Sequence, residues 1–376
     1  MEQLSLGRLA ATDTLRSHLD RCLACRACEA VCPSGVRYGA LIENARTAIE
    51  AHGDVRRSTA ASWLRRVALG VLGDPARLER VAAVMSLYER TGLRSLLRKS
   101  GLRRRLPRGL RRLEGLYPPL TRPRYRAPAA PRAPLARVAL LLGCVMRVAY
   151  GDVHTATARV LTKLGVEVVD VPAQVCCGAL HAHAGERDGA IGLAKKNIAA
   201  FEAAGLDAIV VDAAGCGAQL KGYAHLLEAD HEWHERAASF AAKVRDASEY
   251  LASLPLPATL GRLDTTVTYQ EPCHLAHAQR IRAEPRALLG RIEGLRLLEM
   301  AESDVCCGSA GSYNLQQPEL ADALLARKVD AIERAGADVV VSANPGCMLQ
   351  VQSGLAERGR RTEVLHLVEI LDRAMA

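Results

Sequence analysis

Aromatic side chains make up only 3% of the 376 residues, although 49% of the residues are hydrophobic. The core must therefore be built from Ala, Leu and Val. The basic stretches also lack the interleaved aromatics that stack on single-stranded nucleic acid, which argues against nucleic-acid binding. Long apolar runs are missing too. The longest, Val138 to Met146, is interrupted at Gly143 and falls far short of the about 20 residues that cross a bilayer. Met1 to Ala10 has neither a basic n-region nor an apolar h-region, so a reducing cytoplasmic setting is the expectation. In that setting clustered cysteines read as metal ligands rather than disulfides. There is no Gly-rich phosphate loop and no Ser/His/Asp arrangement, and His231 and His234 in HEWH lack the spacing of a zinc-protease helix. No catalytic residue is assigned.

What the chain does have is twelve cysteines in three groups, with none left over. Cys22, Cys25, Cys28 and Cys32, followed by Pro33, form a C-x2-C-x2-C-x3-C-P run, the spacing that loops a chain around an iron–sulfur cubane. In two-cluster ferredoxins the fourth cysteine of such a run serves the other cluster, yet only one run is present. Either Cys32 closes a single 4Fe-4S cluster in an altered geometry, or a second run lies outside this sequence. The other eight cysteines repeat one pattern: Cys144, Cys176, Cys177, Cys216, then Cys273, Cys306, Cys307, Cys347, with equivalents 129, 130, 130 and 131 residues apart. Each copy places a cysteine after a strand-like run, an adjacent pair before glycine, and another after a strand. Strand carboxyl ends in α/β sheets converge on one crevice, so each copy is expected to gather four thiolates. Four thiolates suit a further iron–sulfur cluster or a zinc ion, with a catalytic dithiol as a third reading. The glycine after each pair is expected to let the backbone approach a bulky group. His181, His183, His274 and His277 lie near these cysteines, either as partners that orient ligands or as polar loop residues.

The remaining pattern divides the chain into four. Residues 1–54 form a cysteine-rich head. Residues 55–136 are a basic helical region and Pro-rich linker: Arg94 to Arg137 hold 14 Lys/Arg against Glu114 alone, and Pro118 to Pro134 hold six prolines. This excess of cations is either a solvated face or an approach to anionic lipid or an acidic partner. From residue 137 onward, short β-branched runs alternate with amphipathic helices, which predicts parallel βαβ units. Strands are expected at Val138–Leu142, Val166–Val171, Ala208–Val211, Thr265–Tyr269, Arg296–Met300 and Asp338–Ser342, and helices at His154–Leu164, Arg187–Ala204, Arg286–Ile292 and Pro318–Ala335. AFEAAGLDAIVV in the first half matches AIERAGADVVV in the second, so the duplication covers fold as well as ligands. The expected fold class is α/β, a small α-helical ferredoxin-like head followed by two duplicated lobes with parallel strands, 137–260 and 261–376.

The segment HLDRCLACRACEAVCPSGVRYGALIENAR, with LLGCVM, GCGAQLK, CHLAHAQR, VCCGSAGSY and NPGC behind it, closely resembles the iron–sulfur subunit of bacterial glycolate oxidase (glycolate dehydrogenase). More broadly it resembles the cysteine-rich CCG-domain family that includes heterodisulfide reductase subunits. The resemblance implies an electron-transfer subunit that takes electrons from an FAD-containing partner oxidising glycolate or D-lactate and passes them toward a membrane quinone or other acceptor. It also implies peripheral contact with the inner face of the cell membrane. Two departures stand out. The family carries two ferredoxin-type runs, so Met1 is expected to be an internal methionine with the true start upstream. Heterodisulfide reductase motifs end in C-x2-C, whereas Cys216 and Cys347 stand alone, with Leu220 and Gln350 nearby. The alternatives are a heterodisulfide or disulfide reductase-type subunit and a zinc-binding interaction scaffold.

Overall fold

The computed structural model describes residues 1–5, 7–51, 59–100, 106–118, 120 and 124–376. Eight strands form two four-stranded sheets: β1 (Ala136–Leu140), β2 (Val166–Val169), β3 (Ala208–Val211) and β4 (Val244–Asp246) in the first, and β5 (Arg262–Tyr269), β6 (Glu293–Leu297), β7 (Val339–Ser342) and β8 (Glu363–His366) in the second. The orders are β2-β1-β3-β4 and β6-β5-β7-β8, and every pairing is parallel. The duplication inferred from cysteine spacing is thus a duplication of topology. Central β3 and β7 are buried along their whole length, as befits parallel strands covered on both faces.

Most expected elements lie within two or three residues of their predicted limits, and Pro318–Ala335 is a helix over that span, with Pro318 in its first turn. Strand β6 starts three residues earlier than expected, because Glu293 N donates to Gly261 O and Gly294 at φ +80° opens the strand. Strands β4 and β8 were not expected. They are short edge strands whose polar residues, Arg245, Asp246 and Glu363, carry no apolar alternation.

The buried apolar residues of both sheets form one continuous cluster. The lobes exchange helices across their boundary: Gly151–Lys163 of the first packs on Leu367–Ala374 of the second, and Ala247–Ser253 packs on Ala283–Leu289. These two contacts are equivalent under the repeat, so the lobes meet about a pseudo-two-fold axis. Ala214 N donates to Ala343 O (3.0 Å) and Gly215 N to Asn344 Oδ1 (3.1 Å), tying together the loops that follow β3 and β7.

The head is helical and has its own small cluster of Leu4, Leu19, Ala24, Ile42, Ala45 and Ile49. After it come the helices Thr59–Gly73, Pro75–Arg90, Leu93–Lys99 and Arg108–Gly115. Asp74 caps the second of these by accepting from Ala76 N and Arg77 N, with Pro75 at its first position. Arg112 reaches Asp322 of the second lobe and anchors the last. Of the expected Pro-rich linker, residues 119 and 121–123 lie outside the described residues, and 124–134 carry no helix or strand. Among the described residues no helix is long and apolar enough to cross a membrane.

Candidate metal centres

Each lobe delivers its four cysteines from the carboxyl ends of its strands. Cys144 follows β1, Cys176 and Cys177 follow β2, and Cys216 follows β3; in the second lobe Cys273 follows β5, Cys306 and Cys307 follow β6, and Cys347 follows β7. Neighbouring thiols shift one another's acidity in the order Cys144–Cys176–Cys177–Cys216 and Cys273–Cys306–Cys307–Cys347. The Cys177 and Cys216 sulfurs are 3.2 Å apart. All eight line one cavity of about 760 Å³ between the lobes, covered by Met85, Tyr88, Leu97, Leu113 and Tyr117 of the basic helical region. Sequence spacing predicted two groups of four; it did not predict one shared cavity.

The glycine after each cysteine pair has a different purpose from the one expected. Gly178 and Gly308 stand at φ +82° and +84°, where an L side chain is strained. A Cβ on Gly308 would also meet Ala321 O at 2.6 Å, so the close approach is to the following helix rather than to the cavity. The turn lets Gly178 N donate to Cys176 Sγ (3.5 Å) and Gly308 N to Cys306 Sγ (3.4 Å), the same bond in both lobes.

Beneath each pair lies a buried polar side chain that sequence reading missed. In the first lobe Asn197 accepts from Val175 N (2.9 Å) and donates to Cys176 O (3.0 Å), while Tyr223 OH donates to Cys177 O (2.8 Å). The equivalent residue 131 positions later is Lys328, whose Nζ donates to Glu302 O (2.5 Å) and Ser303 O (3.0 Å) at the entrance to the Cys306–Cys307 loop. The signal was available: each is a polar residue on the buried face of an otherwise apolar helix, and the repeat aligns them.

The head loop docks on this assembly. Arg46 Nη2 donates to Leu19 O and Cys22 O (3.0 and 2.7 Å), and its Nη1 donates to His183 O (3.1 Å). His183 Nδ1 donates to Glu43 Oε1 (2.9 Å), His274 Nε2 to Ala24 O (3.1 Å), and Tyr313 OH to Arg21 O (3.0 Å). His183 and Tyr313 occupy equivalent positions, seven residues after the first cysteine of each pair, so both lobes hold the head with the same site. Of the remaining histidines, His277 donates to Asp304 O (3.2 Å), and His181 Nδ1 is buried without a partner among the described residues.

The head cysteine loop adjoins His274 and Tyr313 of the second lobe, and its thiols are shifted by their surroundings. Burial raises the Cys25 thiol above its ordinary value, and the charges of Cys273 and Cys22 push the same way. Cys28 is raised by burial and by Cys25 and Cys22. Tyr313 is raised first by burial and further by Cys22 and Cys306. Within the lobes, a hydrogen bond with Cys176 and then burial hold Cys144 well above the thiol range, and Cys306 and burial do the same for Cys273. Thiols so held keep their protons at neutral pH until a metal displaces them.

The donor set fits an iron–sulfur group. Every donor is a soft thiol, and the donors ring a cavity rather than a point. Among the described residues no set of three or more His, Cys, Asp or Glu is placed to hold a single metal ion. In the head, Ala24 and Arg26 stand at φ +51° and +63° between the cysteines, alternating the backbone as in the amide nests that surround anionic groups.

Two parallel α/β lobes that present Cys…Cys-Cys-Gly…Cys to a common cavity define a cysteine-rich-domain protein. The profile of that domain, "Cysteine-rich domain", matches residues 138–221 and 267–352. A second profile, "Glycolate oxidase iron-sulfur subunit, linker region", matches residues 60–117. The chain is 40% identical over 99% of its length to the "Probable glycolate oxidase iron-sulfur subunit" of Bacillus subtilis (strain 168), covering 85% of that protein. It is 35% identical over 96% of its length to the "Glycolate oxidase iron-sulfur subunit" of Escherichia coli (strain K12), covering 83% of it. A fumarate reductase (CoM/CoB) subunit of Methanothermobacter marburgensis is 35% identical over 64% of the chain, which spans 47% of that protein. Among solved structures, a hypothetical protein from Helicobacter pylori shares the fold with a TM-score of 0.50 at 15% identity, over 68% of this chain and 52% of that one. The chain belongs to the family of glycolate oxidase iron–sulfur subunits. It is an iron–sulfur protein by family, and zinc gains no support from these relatives.

Proposed function

We propose that the chain is the electron-transfer subunit of a flavin-dependent glycolate (2-hydroxy acid) dehydrogenase, and that its twelve cysteines are cluster ligands. Cys22, Cys25 and Cys28, with Cys32, would hold a 4Fe-4S cluster in the head, and each lobe's four thiols would hold a further iron–sulfur cluster. When bound, such groups take up and release single electrons. The observation that carries this reading is the docking of the head loop on the lobes, where His274 beside Cys273 donates to Ala24 O beside Cys25, next to a cavity lined by all eight lobe thiols. Arg46, His274 and Tyr313 hold the head loop in that position through backbone carbonyls, which fixes the separation between donor and acceptor groups.

The partners that follow are an FAD-containing subunit as donor and a quinone or other acceptor. Contact with an anionic membrane face is the companion proposal. Trp63, Leu64, Val84, Leu87 and Leu96 are each more than 60% exposed on helices of the basic region. The working units are 1–54, 55–136, 137–260 and 261–376. Cys22→Ser should stop electron flow while leaving the far-ultraviolet circular dichroism of the lobes intact; global unfolding would reject this division.

Anaerobic purification with iron and sulfide analysis tests the reading, followed by reduction with glycolate and the flavoprotein partner under electron paramagnetic resonance. Iron, sulfide and signals that grow on glycolate addition are expected; zinc without iron would sink the proposal. The cavity favours one second reading, direct reduction of a disulfide substrate at a lobe. Its volume lies in the range of about 300–1,000 Å³ typical of small-molecule sites. Turnover of a disulfide by the isolated, dithionite-reduced chain would select it.

A further inference from the structure

Lys328 is a buried ammonium, 2% exposed, that bonds the chain just before the second lobe's cysteine pair. Its two hydrogen bonds go to the carbonyls of Glu302 and Ser303. A neutral amide suffices for the equivalent task in the first lobe, where Asn197 supports the Cys176–Cys177 loop. A positive charge is therefore not required to hold the loop. Burying one is costly unless an opposite charge lies close by. The neighbouring carboxylates are engaged elsewhere: Asp304 pairs with Arg282 (3.2 Å), and the Glu302 side chain pairs with Arg327. Burial pulls the ammonium toward its neutral form, and Cys307, Cys347 and Cys306 are the other groups that oppose this once a bound group holds them as thiolates. The first lobe's own cation, Arg147, lies at Cys144 instead, donates to Gly143 O and faces Glu79 at 3.8 Å.

We propose that Lys328 is a positioning residue of a particular kind: it holds a fixed positive charge beneath the second lobe's thiols and raises the reduction potential of the group they bind. The inference rests on the reading that these thiols hold an iron–sulfur cluster. Adding an electron makes such a site more negative, and a buried cation beside it stabilises the reduced form more than the oxidised one. His274, beside Cys273 of the second lobe, donates to Ala24 O beside Cys25 of the head, so the charge sits on a lobe whose thiols adjoin the head loop.

The test is a redox titration of the full chain followed by electron paramagnetic resonance. Cys177→Ser and Cys307→Ser proteins assign the signals to each lobe. Lys328→Gln removes the charge and keeps a donor. It is expected to lower the second lobe's midpoint by at least about 59 mV, a tenfold change in the oxidised-to-reduced ratio for a one-electron couple. The first lobe should not move, and Lys328→Arg should retain the wild-type midpoint. A loaded Lys328→Gln protein with an unmoved midpoint overturns the inference, as does an equal shift in Lys328→Arg. Loss of the second lobe's iron in both Lys328→Gln and Lys328→Met makes the residue structural and overturns it too. Wild-type protein without iron at the second lobe instead rejects the cluster reading itself, and the inference with it.

Discussion

The two lobes share a strand order, a four-thiol chain and the same glycine turn after the cysteine pair, yet they differ at three equivalent places. Beneath the pairs, Asn197 in the first lobe corresponds to Lys328 in the second. Where the head docks, His183 corresponds to Tyr313. At the cap of each lobe's last helix, Asp246 corresponds to His366, and both caps form a capping box with a glutamate, Glu249 or Glu369. Hydrogen-bonding capacity is retained at all three places while charge and acidity change. What the duplication preserves is the satisfaction of buried backbone groups, because an orphaned one costs about 1–3 kcal/mol wherever it lies. Charge is free to diverge, and it gives two copies of one scaffold different electrostatic surroundings.

The largest effect expected from breaking this equivalence is at the thiols. Cys177→Ser and Cys307→Ser should each remove one lobe's iron and abolish electron transfer, measured as iron and sulfide per chain and as reduction rate. If one of the two retains full iron, the lobes do not hold equivalent groups. Next, Asn197→Leu strands Val175 N and Cys176 O in the core at about 1–3 kcal/mol each, read as a lower urea midpoint. An unchanged midpoint would mean that the loop is held without the amide.

The caps should respond to pH with opposite signs. Burial raises Asp246 to about 6, so its ionised form costs stability: the contribution is full below the unfolded value near 4 and is lost as pH rises through about 6. Burial lowers His366 to about 4, so its contribution is present above about 6.5 and is lost as pH falls toward about 4. Asp246→Asn should therefore compare best with wild type above pH 6, and His366→Asn should compare best near pH 4, by urea unfolding across that window. Parallel pH profiles for the two variants would remove the contrast. The smallest effect belongs to Arg159→Ala. It breaks an exposed pair with Asp372 across the lobe boundary and should cost no more than about 1 kcal/mol in thermal unfolding. A larger loss would mean that this pair, rather than the shared core, holds the lobes together.

Much of the fold was legible because its signals are local. The β-branched runs at Ala208–Val211 and Asp338–Ser342 and the amphipathic run at Pro318–Ala335 declare themselves within one element. Val244–Asp246 and Glu363–His366 did not, since three or four residues at a sheet edge carry no periodicity to read. The purpose of Gly308 was misjudged for a related reason. Its positive φ follows from the turn, but the atom that a Cβ would strike, Ala321 O, belongs to a helix thirteen residues on.

By itself the sequence determined the class of chemistry, because ligand type and spacing are local: three cysteine groups, one looped as for a cubane and two related by a repeat of about 130 residues. It also determined the alternation of strand and helix, which follows from side-chain periodicity. Only the tertiary structure decided that eight thiols line a single cavity, that the lobes exchange helices about a pseudo-two-fold axis, and that Ala24 O of the head docks on His274 beside Cys273. Those facts depend on which apolar faces find each other across hundreds of residues. Only that packing could bring Lys328 to the carbonyls of Glu302 and Ser303, 26 and 25 residues away in sequence.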